Sequence, residues 1–187
     1  IGETGSILRD HYGMDGAEIG LGNEDAINQL LAHHSIIFMP EKRLVWISAN
    51  PVPYNDYVAY DLNKIFGTYA GMKQTQRVDE ADLRISADSF LTNGYSNYLE
   101  YRRLSKVLNK LNKAEDGQAW SESQLQELIA LNPNYFEAYE LVGDSYRKQG
   151  NKVKAIELYK QALALDVPLA DQRRGLEKKI NELTEAQ

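Results

Sequence analysis

Residues 139–168 read YELVGDSYRKQGNKVKAIELYKQALALDVP, and this stretch decides the fold of the second half of the chain. Gly143 and Ala155 stand in two runs of larger residues, and antiparallel helices cross closely only where side chains are small. Between the runs the sequence KQGN supplies a tight turn, in which Gly150 takes the position that tolerates a left-handed backbone. The stretch therefore predicts two antiparallel helices joined by a short turn.

The same residues resemble the signature of the tetratricopeptide repeat (TPR), a helical hairpin of about 34 residues. The matching positions are Tyr139, Val142, Gly143, Tyr146, Ala155 and Tyr159, followed by Ala162 and Leu163. Pro168 comes one residue later than the signature requires. The resemblance implies an all-α TPR-like helical hairpin module at about residues 119–187, which binds another polypeptide and does not catalyse a reaction.

Further helices are predicted on both sides of this hairpin from the spacing of apolar residues. Upstream, a helix that ends at Asn132-Pro133 is indicated by Leu125, Leu128 and Ile129. Downstream, a terminal cap helix is indicated by Leu169, Arg173, Leu176, Ile180 and Leu183. Nearer the middle, one helix that ends at Asn93-Gly94 is indicated by Leu83, Ala87, Phe90 and Leu91, and a longer helix by the residues from Tyr98 to Leu111. Together, these helices predict one and a half TPR-like repeats followed by a cap helix.

A partner-binding face follows from the resemblance, because the first helix of each TPR pair lines the concave groove. The positions of that helix that packing leaves unused are Glu137, Glu140, Asp144 and Arg147. Three acids against one arginine favour a basic or amide-rich peptide, or a basic surface on a larger enzyme, with an affinity that salt weakens. The alternative is that these side chains are an ordinary solvated helix surface.

The first half of the chain shows different signals. Asn23 precedes an acidic turn and predicts a short capped helix that extends to Leu31. Residues 35–38 and 44–48 predict a β-hairpin that turns through residues 39–42. Both strands are apolar at successive positions, so we expect both of their faces to be covered. We expect the rest of the sheet to come from residues outside this chain or from a second copy, which makes a homodimer one alternative.

Four runs in this half resemble the carboxy-terminal stretch of bacterial relatives of the acyl-coenzyme A:6-aminopenicillanic acid acyltransferases, which are N-terminal-nucleophile (Ntn) hydrolases. The runs are residues 20–24, 32–38, 44–49 and 57–62. The resemblance spans about residues 5–67 and implies that residues 33–48 are late strands of a four-layer αββα core. The nucleophile of that family is a cysteine, and this chain has none. We therefore expect no catalytic residue here and no activity from this chain alone.

His33 and His34 are the remaining chemical candidates, because they directly precede Ser35 in the sequence. Adjacent strand residues point to opposite faces, so His34 and Ser35 do not predict a nucleophile and its base. The resemblance leaves a substrate-pocket wall as one role for the two histidines, with a plain structural role as the alternative. The histidines lack spaced carboxylates, and we predict no metal and no cofactor. The Gly20-x-Gly22 sequence predicts a turn, because the acidic residues after it would repel a phosphate.

The overall charge excludes some classes of function. The chain has 21 Lys+Arg against 27 Asp+Glu, with a formal net charge of −6, and no basic run predicts binding to nucleic acid. No apolar run approaches the roughly 20 residues of a membrane span. The sequence begins at Ile1 and not at methionine, so we expect a fragment of a longer bacterial protein whose compartment stays open.

Taken together, the sequence predicts an α+β chain of two domains. Residues 1–75 are expected to be an incomplete Ntn-hydrolase-like domain, and residues 76–187 a helical domain that contains the TPR-like repeat. The leading hypothesis is the carboxy-terminal portion of an amide-bond hydrolase or acyltransferase that carries a protein-interaction module. Its partner is expected to be a protein or peptide, or the preceding part of the same enzyme. The alternative is a non-enzymatic TPR adaptor.

Overall fold

A computed structural model describes residues 1–32, 34–49, 52–71, 77–115 and 117–185 of the chain. The chain forms two compact units, each assembled from two separate stretches of sequence. The first unit holds residues 1–11 and 27–93, and the second holds residues 12–26 and 94–187. These units describe proximity in space. The predicted boundary between residues 75 and 76 separates an Ntn-hydrolase-like domain from a helical domain, and it stays a prediction.

The first unit, called the sheet unit below, contains a small antiparallel sheet with short helices. Its named elements are α1 (Gly2–Leu8), β1 (Ile36–Met39), β2 (Leu44–Ser48), β3 (Tyr57–Asp61) and α2 (Phe90–Asn93). The strand order is β1-β2-β3, so the predicted hairpin is confirmed. The expectation that no neighbouring strand comes from this chain is wrong, because β3 pairs with β2 along its full length. Tyr57 and Ala59 alternate with less buried residues, which is the pattern of a half-buried strand.

The two faces of this sheet differ in burial. One face carries the core of the unit, where Ile37, Trp46, Tyr57 and Ala59 are at most 4% exposed. The opposite face leaves Ile36, Phe38 and Ile47 exposed by 46%, 65% and 37%. Val45 lies on this opposite face and is only 7% exposed, so the expectation that both faces are covered is met on the core face and in part on the other. The chain thus forms a three-stranded antiparallel sheet, but an αββα core is not confirmed.

Neither of the two helices predicted in the first half forms as expected. Asn23 accepts a hydrogen bond at Oδ1 from the Asp25 backbone N–H at 3.0 Å, and Asn28 accepts one from Leu30 at the same distance. Such side-chain turns compete with helical hydrogen bonds, and Leu30 has a φ of 57°. The helix predicted from Leu83 onward is also wrong, because the backbone of Ile85 exchanges hydrogen bonds with Tyr57 at 2.8 and 3.1 Å. That bridge holds the chain extended, and only α2 remains helical.

The second unit, called the helical unit below, contains five α-helices among its described residues. They are α3 (Tyr95–Lys113), α4 (Glu122–Leu131), α5 (Phe136–Lys148), α6 (Lys152–Ala164) and α7 (Ala170–Glu185). Helix α5 packs on α6, α6 packs on α7, and α3 contacts both α4 and α5. The helices predicted from residue 98 onward are thus confirmed, with α5 and α6 as the central hairpin.

The turn and crossing of this hairpin follow from its glycines. Gly150 has a φ of 79°, a left-handed conformation that glycine adopts without strain. At Gly143 a Cβ would lie 2.6 Å from the ring of Tyr159, so only glycine lets α5 approach α6 this closely. Asn151 then begins α6, because its side chain accepts the Lys154 backbone N–H at 3.2 Å. Local sequence therefore determines this part of the fold.

Candidate partner-binding face of the helical unit

Helices α3 and α5 line a surface groove of about 300 Å³. Its lining residues are Ser105, Lys106 and Asn109 from α3, and Glu137, Glu140, Leu141 and Asp144 from α5. Residues three and four apart lie on the same side of a helix, which brings the three α5 carboxylates to one wall. Three of the four predicted partner-binding residues therefore share this groove.

Two of these carboxylates hold an ammonium group from α7. The Nζ of Lys179 lies 2.8 Å from Glu140 Oε1, and 2.7 and 2.9 Å from the two carboxylate oxygens of Asp144. Burial alone would lower the pKa of Lys179, but its hydrogen bonds to Asp144 and Glu140 outweigh burial and raise that pKa. The Tyr159 hydroxyl also donates to Asp144, at 2.7 Å. This group of residues is a pre-formed cation site that the chain fills by itself.

Glu137 has a different environment at the start of the same wall. Burial raises the pKa of this carboxyl most, the negative charge of Glu24 raises it further, and a hydrogen bond with Tyr135 acts in the opposite direction. The net pKa is above the ordinary value. The surroundings thus disfavour the charged form, and a cation placed beside Glu137 would stabilise it.

Arg147, the fourth predicted residue, lies outside the groove lining that the described residues form. It donates from Nη2 to Glu182 Oε2 of α7 at 3.1 Å. Both side chains are more than a third exposed, at 41% and 44%. An exposed pair of this kind contributes little to stability. Its contact with a partner stays a prediction, as it does for the other three.

The residues that the sequence analysis missed come from the neighbouring helices. Lys106 and Asn109 form the opposite wall, and Lys179 neutralises two of the acids. A signal for them does exist in the sequence. In a TPR array the first helices of successive repeats share one groove, and α3 and α7 stand at first-helix positions on either side of α5. The polar residues of those two helices were therefore candidates.

The chemical candidates of the sheet unit are only partly described. His33 lies outside the described residues, and His34 is exposed. Ser35 Oγ accepts a hydrogen bond from the Tyr57 hydroxyl at 2.8 Å. Within the described ranges, no group of three or more His, Cys, Asp or Glu side chains comes together in a way that could hold a metal ion. The substrate-pocket role of His33 and His34 stays a prediction.

Comparison with known proteins finds one match, within the helical unit. The family model of the tetratricopeptide repeat matches residues 136–166, which cover α5 and α6. Neither a search of curated proteins nor a search of solved structures found a match to the chain. The helical unit thus contains a TPR, a repeat that characterises protein-interaction modules, and the Ntn resemblance gains no support from these comparisons. No helix in the described part of the chain has the length and apolar character needed to cross a membrane.

Proposed function

We propose that the helical unit binds a polypeptide segment rich in lysine, arginine or side-chain amides in the groove between α3 and α5. The observation that carries this proposal is the arrangement of Glu137, Glu140 and Asp144 along one wall of that groove. Carboxylates at the spacing of a helical turn can follow successive basic or amide groups of an extended peptide. The TPR match supports a polypeptide as the ligand.

Lys179 supports the chemical class of that ligand. The chain itself places the ammonium group of Lys179 against Glu140 and Asp144 with three short hydrogen bonds, which supports a cationic ligand for this wall. Glu137 lies on the same wall, and its pKa is raised. A lysine or arginine of the partner would bind there first, because it would offset the repulsion between Glu137 and Glu24.

The proposal also concerns the protein to which this chain belongs and the partner that the TPR binds. We propose that the chain is the carboxy-terminal portion of an amide-bond hydrolase or acyltransferase, and that the TPR binds a separate protein or a basic surface of that enzyme. The exposed apolar face formed by Ile36, Phe38 and Ile47 supports this, because two sheets pack face to face in an αββα core. His33 and His34 then adjoin the start of a core strand in the proposed enzyme. A non-enzymatic adaptor remains the alternative.

A peptide-binding measurement tests the groove. The probes are labelled 12-residue peptides in which serine alternates with lysine, arginine, glutamine or glutamate. Fluorescence anisotropy with the unaltered chain should give tighter binding for the lysine and arginine peptides than for the glutamate peptide. Raising the salt from 50 to 300 mM should weaken that binding, because exposed charge pairs are screened.

Two matched variants locate the site. Glu137→Gln should weaken binding of the lysine peptide by about threefold to tenfold, since it removes a charge at a partly buried site. Glu177→Gln removes the same charge from an exposed position of α7 and should change binding by less than about twofold. Equal binding of the glutamate and lysine peptides, or equal effects of the two variants, would refute the proposal.

A further inference from the structure

Residues 19–24, called the strap below, belong to the helical unit although more than 70 residues separate them from α3 in the sequence. Their sequence is IGLGNE. The strap has no regular secondary structure, yet Ile19 and Asn23 are 6% and 0% exposed. An irregular segment buried this deeply needs partners for its polar groups.

Asn132 of the helical unit recognises the strap backbone in both directions. Its side-chain Oδ1 accepts the Leu21 N–H at 2.9 Å, and its Nδ2 donates to the Leu21 carbonyl at 2.8 Å. Asn132 is itself only 2% exposed. The side chain thus pairs with one residue of the strap as a neighbouring β-strand would. This contact binds the backbone of a turn, which the Asn23 N–H closes by donating to the Gly20 carbonyl at 3.4 Å, and it is independent of the leucine side chain.

The two glycines of the strap are required by close approach. Gly20 has a φ of 86°, and a Cβ there would lie 2.5 Å from the backbone of Tyr135. Gly22 has a φ of 94°, and a Cβ there would lie 3.2 Å from the ring of Tyr98. Larger residues would clash at the first position and be strained at both. The predicted Gly-x-Gly turn is confirmed, and its two glycines allow the backbone to pack closely against Tyr135 and Tyr98.

Side-chain contacts add specificity after the glycines. Asn23 Nδ2 donates to the Asp166 carbonyl at 3.3 Å and to Asp166 Oδ2 at 3.2 Å. Glu24 Oε1 accepts from Gln172 Nε2 at 3.1 Å, and Gln172 also accepts the Leu169 N–H at the start of α7. The helical unit thus offers two acceptor oxygens of Asp166 to the Asn23 amide, and the Gln172 amide donates to the Glu24 carboxylate. Together these contacts define the sequence Gly-x-Gly-Asn-Glu.

We propose that this surface is a second peptide-recognition site of the helical unit, specific for a Gly-x-Gly-Asn-Glu turn, and that the chain occupies it with its own strap. The site is separate from the groove of the proposed function, because its contacts come from Asn132, Asp166, Tyr98, Tyr135 and Gln172. Recognition depends on the contacts and not on covalent continuity. The same segment on a separate polypeptide binds the site when the internal strap is displaced.

The experiment uses the full chain and a labelled peptide of residues 17–26, AEIGLGNEDA. The internal strap has an effective concentration on the order of millimolar, so the peptide competes only after the strap is weakened. Asn23→Asp weakens the strap, since it replaces a donor with an acceptor opposite the Asp166 carboxylate. We expect at least tenfold faster hydrogen exchange at the Leu21 amide and at least tenfold tighter peptide binding than with the unaltered chain.

Second-site variants and peptide controls define the outcome. Adding Asn132→Ala to Asn23→Asp should reduce peptide binding at least tenfold. Adding Asn134→Ala, which removes an exposed hydrogen bond to Glu18 of the peptide, should reduce binding less than threefold. A peptide with aspartate in place of its asparagine should not bind. Gly22→Ala provides a second weakened strap if circular dichroism shows that Asn23→Asp has lost helix.

Three results would overturn the inference. The first is absence of peptide binding by a chain whose Leu21 amide has become exchangeable. The second is equal binding with and without Asn132. The third is unchanged exchange at Leu21 in both weakened straps, which would mean that Asn23 and Gly22 do not hold the segment. Because none of these measurements uses the basic peptides, failure here is distinguishable from failure of the proposed groove.

Discussion

Lys179→Met tests whether the ion pairs within the helical unit stabilise its fold. The change keeps most of the aliphatic side chain and removes the ammonium group that lies between Glu140 and Asp144. Those two carboxylates would then face each other without a counter-charge. We expect a lower melting temperature. We also expect tighter binding of the lysine peptide, because the vacated cation site becomes open to a ligand.

The magnitude follows from the burial of the three side chains, which are 24%, 27% and 29% exposed. Fully exposed pairs contribute about 0–1 kcal/mol, and breaking a fully buried pair costs about 3–5 kcal/mol. The Lys179 network lies between these limits, so we expect a loss of about 2 kcal/mol. In a domain of about 100 residues, each kcal/mol shifts the melting temperature by roughly 4 °C or more, which gives a drop of roughly 8 °C.

Lys178→Met is the matched control on the same helix. Its side chain is 77% exposed and lies 3.9 Å from Glu182, so its loss should cost less than about 0.5 kcal/mol. Thermal unfolding followed by circular dichroism gives both values, and Asp144→Asn completes a double-mutant cycle. The effect of Lys179→Met should be at least about 1 kcal/mol smaller in the Asp144→Asn background. Equal losses at positions 178 and 179, or a cycle without coupling, would refute the reasoning.

The other predictions concern pH, packing, exposed surface and activity. Because the fold raises the pKa of Glu137 above its ordinary value, the folded chain loses stability as the pH rises through that raised pKa. Glu137→Gln should therefore raise the melting temperature at pH 8 and leave it unchanged at pH 4. Gly143→Ala should cost about 2 kcal/mol by clashing with Tyr159, whereas Gly175→Ala, in open space on α7, should stabilise by up to about 1 kcal/mol; denaturant unfolding would contradict this if both changes had the same sign. Phe38→Ser should reduce binding of a hydrophobic dye, because Phe38 is 65% exposed, and an unchanged signal would assign the dye to another surface. The pure chain should not hydrolyse amide or penicillin-type substrates, since it has no cysteine; turnover above a heat-treated control that disappears in Ser35→Ala would contradict this.

The helical hairpin could be predicted from sequence because its determinants are local. Gly143, Gly150 and Asn151 act within a single hairpin, and the spacing of its apolar residues gives the helical period directly. The hairpin of β1 and β2 was predictable for the same reason. Its apolar runs did not reveal which face would be covered, because that depends on residues that are distant in sequence, such as Leu8 and Ile85.

Two differences between prediction and structure involve a polar side chain with a distant partner. Asn23 has the sequence context of a helix cap, but its amide is committed to Asp166, 143 positions away. Glu140 and Asp144 have the spacing of a free helix face, yet Lys179 of α7 pairs with both. Helical periodicity identifies which side of a helix a residue takes. It does not identify the group from a later helix that occupies that side.

The contrast between Asp144 and Glu137 bears on where a ligand acts. Asp144 already has partners within the fold in Lys179 and Tyr159, so a ligand cation would bind it only in place of the Lys179 ammonium group. Glu137 is different, because burial and the neighbouring Glu24 oppose its ionisation, and the hydrogen bond with Tyr135 compensates only in part. A neutral side chain at this position would suit the fold better at neutral pH. A cation of the proposed ligand would favour the ionised form of Glu137, so we expect partner binding and fold stability to change in opposite directions at this position.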